Sequence, residues 1–134
     1  MWRVAVLAAW AMASPASAQT LMPAEAFIDL VLGKTVSFVH FNSGRLVGEE
    51  QFISRDQTIW KTPEYGCVTG QLYVDRGRVC FVYEDIQPER PACWWPYEYD
   101  GEVILRPVGE FMRGVQRIRG ISEDPLTCET LPMS

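Results

Sequence analysis

Groups that carry out chemistry are scarce in this sequence. It has one histidine, His40, and it lacks a Gly-x-Ser-x-Gly turn, a Cys-x-x-Cys pair, a glycine-rich phosphate loop and a dinucleotide fingerprint. These absences argue against serine-hydrolase, zinc and nucleotide-dependent chemistry. His40 stands in the β-prone run Phe38-Val39-His40-Phe41, where a structural or surface role is a better interpretation than a catalytic base. We therefore predict no catalytic residue, no metal and no cofactor.

Carboxylates are the remaining candidates for catalysis or metal binding. Glu98, Asp100 and Glu102 cluster around the Asp100-Gly101 turn, and Glu84 with Asp85 begins another connection. A glycosidase needs two carboxyl groups at a defined separation, and calcium needs six or more oxygen ligands. The calcium-loop signature is missing. Solvated turns are the preferred interpretation, with catalysis and calcium binding as the alternatives.

Basic residues are outnumbered by acidic ones. The chain has 12 Lys and Arg against 17 Asp and Glu, and residues 1–18 carry Arg3 and no acid, so the rest has a formal charge of 11 − 17 = −6. Nucleic acids and anionic membranes favour basic patches, so we predict neither as a partner. The densest basic cluster is interpreted as a solvated strand face rather than an anion site; it consists of Arg113, Arg117 and Arg119.

Long apolar runs are also missing. The N-terminus has Arg3, an apolar run over 4–13 and the small-x-small sequence Ala16-Ser17-Ala18. These are the three parts of a secretory signal peptide, and the run is shorter than the ~20 residues that a stable membrane span needs. We predict cleavage after Ala18. The product, 19–134, is then a single soluble domain in the periplasm or outside the cell, without stable membrane insertion. An uncleaved anchor is the alternative.

An even number of cysteines follows this segment: Cys67, Cys80, Cys93 and Cys128. Behind a signal peptide, such a set indicates two disulfides. If Asp75-Arg76-Gly77 closes a hairpin, Cys67 lies opposite about residue 85, roughly 15 Å along the strand from Cys80 at ~3.3 Å per residue, which is too far for a bond. Cys80 and Cys93 lie symmetrically about Ile86-Gln87. We therefore predict the pairs Cys80 with Cys93 and Cys67 with Cys128.

The rest of the chain favours an all-β fold with one short N-terminal helix. The helix is predicted over about 23–32, because Phe27, Leu30 and Val31 recur at helical spacing and Gly33 supplies a stop. From about 35 to 121, short β-prone runs alternate with turn residues and give about eight strands. Their connections are too short for crossover helices. We predict an antiparallel meander that closes into a small barrel, with an open sandwich as the alternative.

Short motifs between residues 22 and 108 resemble those of a known group of proteins. The motifs are Gly33-Lys34-Thr35-Val36, Trp60, Gly66-Cys67, Gly70, Gly77, Cys80-Phe81-x-Tyr83-Glu84 and Cys93-Trp94. They resemble those of small exported bacterial proteins of unknown function that are thought to be lipocalin-like. The resemblance implies a lipocalin-like barrel. It brings no activity and no catalytic residue to this chain.

The predicted central hairpin is apolar on both faces. With the turn at Asp75-Arg76-Gly77, one face carries Leu72, Val74, Cys80 and Val82, and the other carries Tyr73, Val79, Phe81 and Tyr83. An antiparallel strand with one wet face has polar residues there, so both faces need cover. Trp94 and Trp95, adjacent on a strand, point to opposite sides.

Aromatic residues are the most suggestive group for function. The candidate ligand-lining residues are Trp60, Tyr73, Phe81, Tyr83, Trp94 and Trp95. Barrel mouths lined by aromatic side chains are common ligand sites, so we predict an exported, non-enzymatic barrel that binds a small apolar ligand. An interior filled by side chains is one alternative. The other is a protein-interaction or inhibitor module of the cell envelope that uses exposed Trp, Tyr and Arg side chains as anchors.

Overall fold

The computed structural model describes residues 5, 7–12, 18–84, 86, 90–109 and 114–129. This part of the chain contains one helix, α1 (Ala24–Val31), and nine strands. The strands are β1 (Thr20–Leu21), β2 (Thr35–His40), β3 (Leu46–Phe52), β4 (Gln57–Thr62), β5 (Gly66–Asp75), β6 (Arg78–Tyr83), β7 (Ala92–Tyr99), β8 (Glu102–Pro107) and β9 (Gln116–Ser122). The predicted helix and the eight predicted strands are therefore all present.

Strands β2 to β9 form a closed antiparallel barrel. Each strand pairs with the next along the chain, and β9 returns to pair with β2, where Phe38 lies opposite Ile118. Closure satisfies the backbone groups that the edges of an open sheet would expose. The short strand β1 pairs with the far end of β7, beyond the segment that β6 covers. The predicted barrel is confirmed and the open sandwich is not.

The turn of the central hairpin is one residue shorter than the predicted Asp75-Arg76-Gly77. Its turn contains only Arg76 and Gly77, whose φ angles are 50° and 83°, and Asp75 pairs with Arg78. Two residues with positive φ suit the twist of a tight hairpin. A one-residue change in register moves every β6 side chain to the other face relative to β5. The predicted assignment of faces was therefore wrong. The inner face carries Leu72, Val74, Val79, Phe81 and Tyr83, whereas Tyr73, Cys80 and Val82 lie on the outer face.

Two disulfides join the predicted pairs of cysteines. Cys80 lies directly opposite Cys93 across β6 and β7, with 4.0 Å between their Cα atoms. Cys67 bonds to Cys128, 61 residues away along the chain, and ties the C-terminal segment to β5. In the same segment, the Leu126 N–H donates to the Gln51 side chain at 3.0 Å.

Helix α1 closes one end of the barrel. Its inward side chains belong to the same core as the strands that it covers: Ala24, Phe27, Ile28 and Val31. The Phe27 ring packs edge-on against Phe52 at 6.1 Å, and Phe52 packs against Phe81 at 6.2 Å. An eight-residue helix is too short to be stable alone, so this packing is what holds it. The helix thus covers the inner face of the strands at this end, whereas Tyr73 on their outer face is 41% exposed.

The chain joins the barrel just after the predicted cleavage site. Gln19 accepts hydrogen bonds from Arg106 Nε and Nη2 at 2.8 and 2.6 Å. Ala5 and residues 7–12 have no regular secondary structure, whereas residues 1–4, 6 and 13–17 of the predicted signal peptide lie outside the described residues. Among the described residues, no helix has the length and apolar character needed to cross a bilayer. Cleavage after Ala18 stays a prediction.

Candidate functional site

The barrel interior is only partly filled. A cavity of about 220 Å³ lies between the core under α1 and the opposite end of the barrel. Five of its lining side chains are aromatic: Phe38, Trp60, Phe81, Tyr83 and Trp94. The other described lining residues are Glu50, Ala92, Leu105 and Gln116 and, on the solvent-exposed side, Ile86 and Arg90. The cavity is therefore mainly aromatic and reaches the surface at one side.

Two glycines let aromatic rings lie directly against the barrel wall. A Cβ at Gly48 would be 2.5 Å from Cζ2 of Trp60, and a Cβ at Gly70 would be 2.7 Å from Cε1 of Tyr83. Any larger residue would push these rings inward. The Trp60 and Tyr83 rings, 6.3 Å apart, form a continuous surface over β3, β4 and β5. The open volume of the cavity thus depends on glycine at these two positions.

One ionisable group in the wall is removed from water. Glu50 is 1% exposed and lies on the inner face of β3, where Tyr83 Oη donates to its Oε1 at 3.0 Å and its Oε2 at 3.1 Å. Burial raises the pKa of Glu50 to about 8, although the nearby hydroxyls of Thr58 and Tyr83 offset part of the rise. At neutral pH the wall of the cavity therefore carries a mainly protonated carboxyl group.

The surroundings of Glu50 leave its oxygens incompletely satisfied. Tyr83 provides a single hydrogen that two carboxyl oxygens share, and burial beside Glu50 raises the pKa of Tyr83 well above its ordinary value, so it stays a donor. The buried Thr58 hydroxyl lies near enough to Glu50 to lower the pKa of that carboxyl, but its Oγ1 is not placed to form a well-aligned hydrogen bond with any described residue. In that same part of the chain, Glu50 forms no ion pair. Arg90 lines the same cavity from its exposed side.

Four of the six predicted ligand-lining residues do line this cavity: Trp60, Phe81, Tyr83 and Trp94. Tyr73 and Trp95 do not, because each lies one position along its strand from an inward residue and so points outward. Tyr73 is 41% exposed, and Trp95 lies over Gly77 at the hairpin turn. The opposite orientation of the two adjacent tryptophans agrees with the prediction. Whether any of these residues binds a ligand stays a prediction.

Sequence reasoning missed the buried acid. Glu50 was not singled out, although it lies two residues before the apolar Phe52 in a predicted strand, and residues two apart share one face. The run therefore contained the signal that Glu50 faces inward. Phe38 and Gln116, which also line the cavity, follow the same alternation with Val36 and Ile118.

The other candidate groups lie away from this cavity. Glu98, Asp100 and Glu102 line a separate polar depression of about 310 Å³ beside Thr20, and Glu102 lies 3.7 Å from Arg117. His40 ends β2 and is partly exposed. No group of three or more His, Cys, Asp or Glu residues suited to hold a metal occurs within the described ranges. Asp85 and Arg113 lie outside those ranges.

Comparisons with protein-family models, with curated proteins and with solved structures find no match for this chain. The barrel and its cavity are therefore the basis for any functional conclusion. The cavity combines apolar volume, aromatic faces and one buried carboxyl group. That combination is suited to binding a small molecule.

Proposed function

We propose that the protein is an exported, non-enzymatic β-barrel that binds a small, mainly apolar ligand inside the barrel. The observation that carries the proposal is the aromatic-lined cavity of about 220 Å³. An apolar cavity of about 150 Å³ is enough to bind benzene, and drug-sized ligands occupy about 300 Å³ or more. The ligand expected here is therefore a single ring with a short substituent, or an aliphatic molecule of similar size.

The walls of the cavity are built to keep their shape. Phe81 and Tyr83 are stacked, with their rings 6.1 Å apart and 5° from parallel, and Phe38 lies 6.3 Å from Trp60. The rings at Trp60 and Tyr83 rest on glycines in neighbouring strands. A site that is already formed loses little conformational freedom when a ligand enters. Little of the free energy gained from apolar contact is then offset by ordering the cavity walls, so more of it contributes to affinity.

Export is the second part of the proposal. It is supported by the two disulfides, since such bonds persist in oxidising compartments such as the periplasm and the extracellular space. The proposal also places the chain with the exported lipocalin-like proteins that it resembles. Mass spectrometry of the exported protein is expected to find an N-terminus at Gln19. A product that retains Met1 and sediments with membranes would contradict export as a soluble domain.

Intrinsic fluorescence tests ligand binding directly, because Trp60 and Trp94 line the cavity and Trp95 does not. Titration of the purified, oxidised protein with toluene is expected to change the tryptophan emission saturably. Trp94→Ala should weaken binding by removing part of the wall. Trp95→Ala is the matched control, since it deletes the neighbouring ring on the outer face and should leave the affinity within about twofold. The absence of any saturable change in the wild type would refute binding of a small apolar ligand.

A protein-interaction module of the cell envelope is the second candidate function. The observation that favours it is the row of outer-face side chains on β5, β7 and β8, where Tyr73 is exposed and Arg106 stacks over the Tyr97 ring at 5.7 Å. Such side chains are common anchors at interfaces. A stable partner that is lost from Tyr73→Ala and kept by Trp94→Ala would favour this function over the cavity.

A further inference from the structure

The buried carboxyl group is a costly feature of an otherwise aromatic cavity. An acid that is 1% exposed is stable only when it is neutral or when opposite charge and hydrogen bonds compensate it. Glu50 receives one shared hydrogen from Tyr83, and no ion pair to it occurs among the described residues. An apolar residue of similar size would avoid this cost. The carboxyl group therefore has hydrogen-bonding capacity that a ligand could satisfy.

The aromatic rings around it favour a positive charge. The faces of Trp, Tyr and Phe attract ammonium groups, and the attraction grows when water is excluded. Trp60 is the cross-strand partner of Glu50, and Tyr83 is hydrogen-bonded to it, so the acid and two ring systems meet at one point of the wall. A neutral hydrocarbon would contact the rings but leave the carboxyl group unsatisfied. An anion would face the negative faces of the rings, and it would be repelled by the carboxyl group whenever that group ionised.

From this juxtaposition we propose that the cavity selects small organic cations, amines with an apolar body, and that Glu50 accepts the hydrogen bonds of the ammonium group. The inference rests on the proposed function, because it names the ligand class for the same cavity. Phe81, Trp94 and Leu105 would surround the apolar body. The net negative charge of the chain adds a general attraction for cations.

The charged and titratable groups that face Glu50 set the pH dependence of binding. They are Tyr83 on β6 and Arg90, which lines the exposed side of the cavity; Thr58 on β4 adds an uncharged hydroxyl. A bound ammonium favours the ionised carboxylate, so binding at neutral pH should release a proton from Glu50. Tyr83 stays neutral, because burial and Glu50 raise its pKa. Arg90 opposes entry of a cation, but it is solvated and unpaired with Glu50, so it should weaken the selection without reversing it.

Three probes of similar shape and different charge test the selection: benzylamine, benzyl alcohol and benzoate. Calorimetric titration of the purified, oxidised protein at neutral pH should give an affinity for benzylamine roughly tenfold to a hundredfold above that for benzyl alcohol, as expected for a hydrogen bond to a charged group. Benzoate should bind least. Repeating the benzylamine titration in buffers of different ionisation enthalpy should reveal the released proton.

Glu50→Gln is the decisive variant, since the amide keeps the size of the side chain and cannot ionise. It should reduce benzylamine affinity to that of benzyl alcohol, while benzyl alcohol binding stays within about twofold and shows that the cavity is intact. Glu49→Gln is the matched control: its side chain lies on the opposite face of β3, so both affinities should be unchanged.

The outcomes separate this inference from the function on which it rests. Benzyl alcohol binding as tightly as benzylamine, or a Glu50→Gln protein that still prefers the amine, would overturn the cation selection and leave a cavity for neutral ligands. A preference for benzoate would also overturn it and would assign selection to Arg90. Failure of all three probes to bind, with no response to toluene, would overturn the proposed function itself.

Discussion

The two ends of the barrel are built from similar side chains but are packed differently. At the α1 end, Phe27, Val31 and Val36 are fully buried, and the helix fills the interior by edge-on contact with Phe52. Beyond this packed end, aromatic rings rest on glycines and leave about 220 Å³ open around Glu50. The comparison shows that a single eight-residue helix closes one end of the barrel without filling the rest of the interior. Burial of apolar side chains at the α1 end should therefore contribute most of the stability, and the cavity is where we propose that the ligand binds.

The largest expected effect is a loss of stability at the filled end. Phe27→Ala should reduce the free energy of unfolding by about 3–5 kcal/mol, because it leaves a void where the helix meets Phe52. Phe38→Ala should cost less, since the Phe38 ring already borders the cavity and loses fewer contacts. Urea unfolding of both variants measures the difference. A larger loss for Phe38→Ala than for Phe27→Ala would contradict the assignment of tight packing to the α1 end and open volume to the cavity end.

The two disulfides offer the next comparison. Replacing Cys67 and Cys128 together by Ala should cost about 4 kcal/mol, and replacing Cys80 and Cys93 together should cost about 3 kcal/mol, because the first bond closes 61 residues of chain and the second closes 13. Denaturant unfolding of the two double variants under identical conditions checks the order. Equal losses would mean that loop closure in the unfolded chain does not determine their contributions.

How much the sequence could predict follows from how local each feature is. Strand limits depend on neighbouring residues, and turns such as Asp100-Gly101 were located correctly. Which β5 and β6 side chains share a face depends on one residue of turn length. The two-residue turn at Arg76-Gly77 places Phe81, instead of the expected Cys80, on the same face as Leu72. The cavity depends on side chains from seven strands that surround a common space. Nothing local to Glu50 indicates that this space is left open.

Glycine substitutions test the hollow end with a smaller effect. Gly70→Ala would place its Cβ 2.6 Å from Thr58 Oγ1 and 2.7 Å from Tyr83 Cε1, so it should cost about 1–3 kcal/mol and push the Tyr83 ring into the cavity. Toluene affinity should fall with it. Gly120→Ala is the matched control in a strand, because a Cβ there would meet nothing within 4 Å and should change stability by less than about 0.5 kcal/mol. Equal toluene affinity in the two variants would argue that Gly70 does not shape the cavity.

The smallest expected effect is the dependence of the free energy of unfolding on pH that Glu50 causes. It tests the cavity end of the barrel. The pKa of this carboxyl rises from an ordinary value of 4.5 to about 8 on folding. Below the lower value both states are protonated and the contribution to stability is complete. As the pH rises, the unfolded chain ionises first while the folded protein keeps its proton, so stability is lost until the folded carboxyl ionises as well.

Between about pH 6 and about pH 7, Glu50 should lower the free energy of unfolding by at most about 1.4 kcal/mol. Urea unfolding at the two pH values, compared with Glu50→Gln, isolates this contribution because the other titrating groups are common to both proteins. The loss should disappear in Glu50→Gln and persist in Glu49→Gln, which retains Glu50. Glu50 binds its proton more tightly in the folded state than in the unfolded chain. A benzylamine cation must displace this proton, so its binding costs less as the pH rises. Amine affinity should therefore rise over the same pH interval in which stability falls. Identical pH dependence in the wild type and in Glu50→Gln would show that the carboxyl is ionised in the folded protein, and that it reaches solvent or a cation.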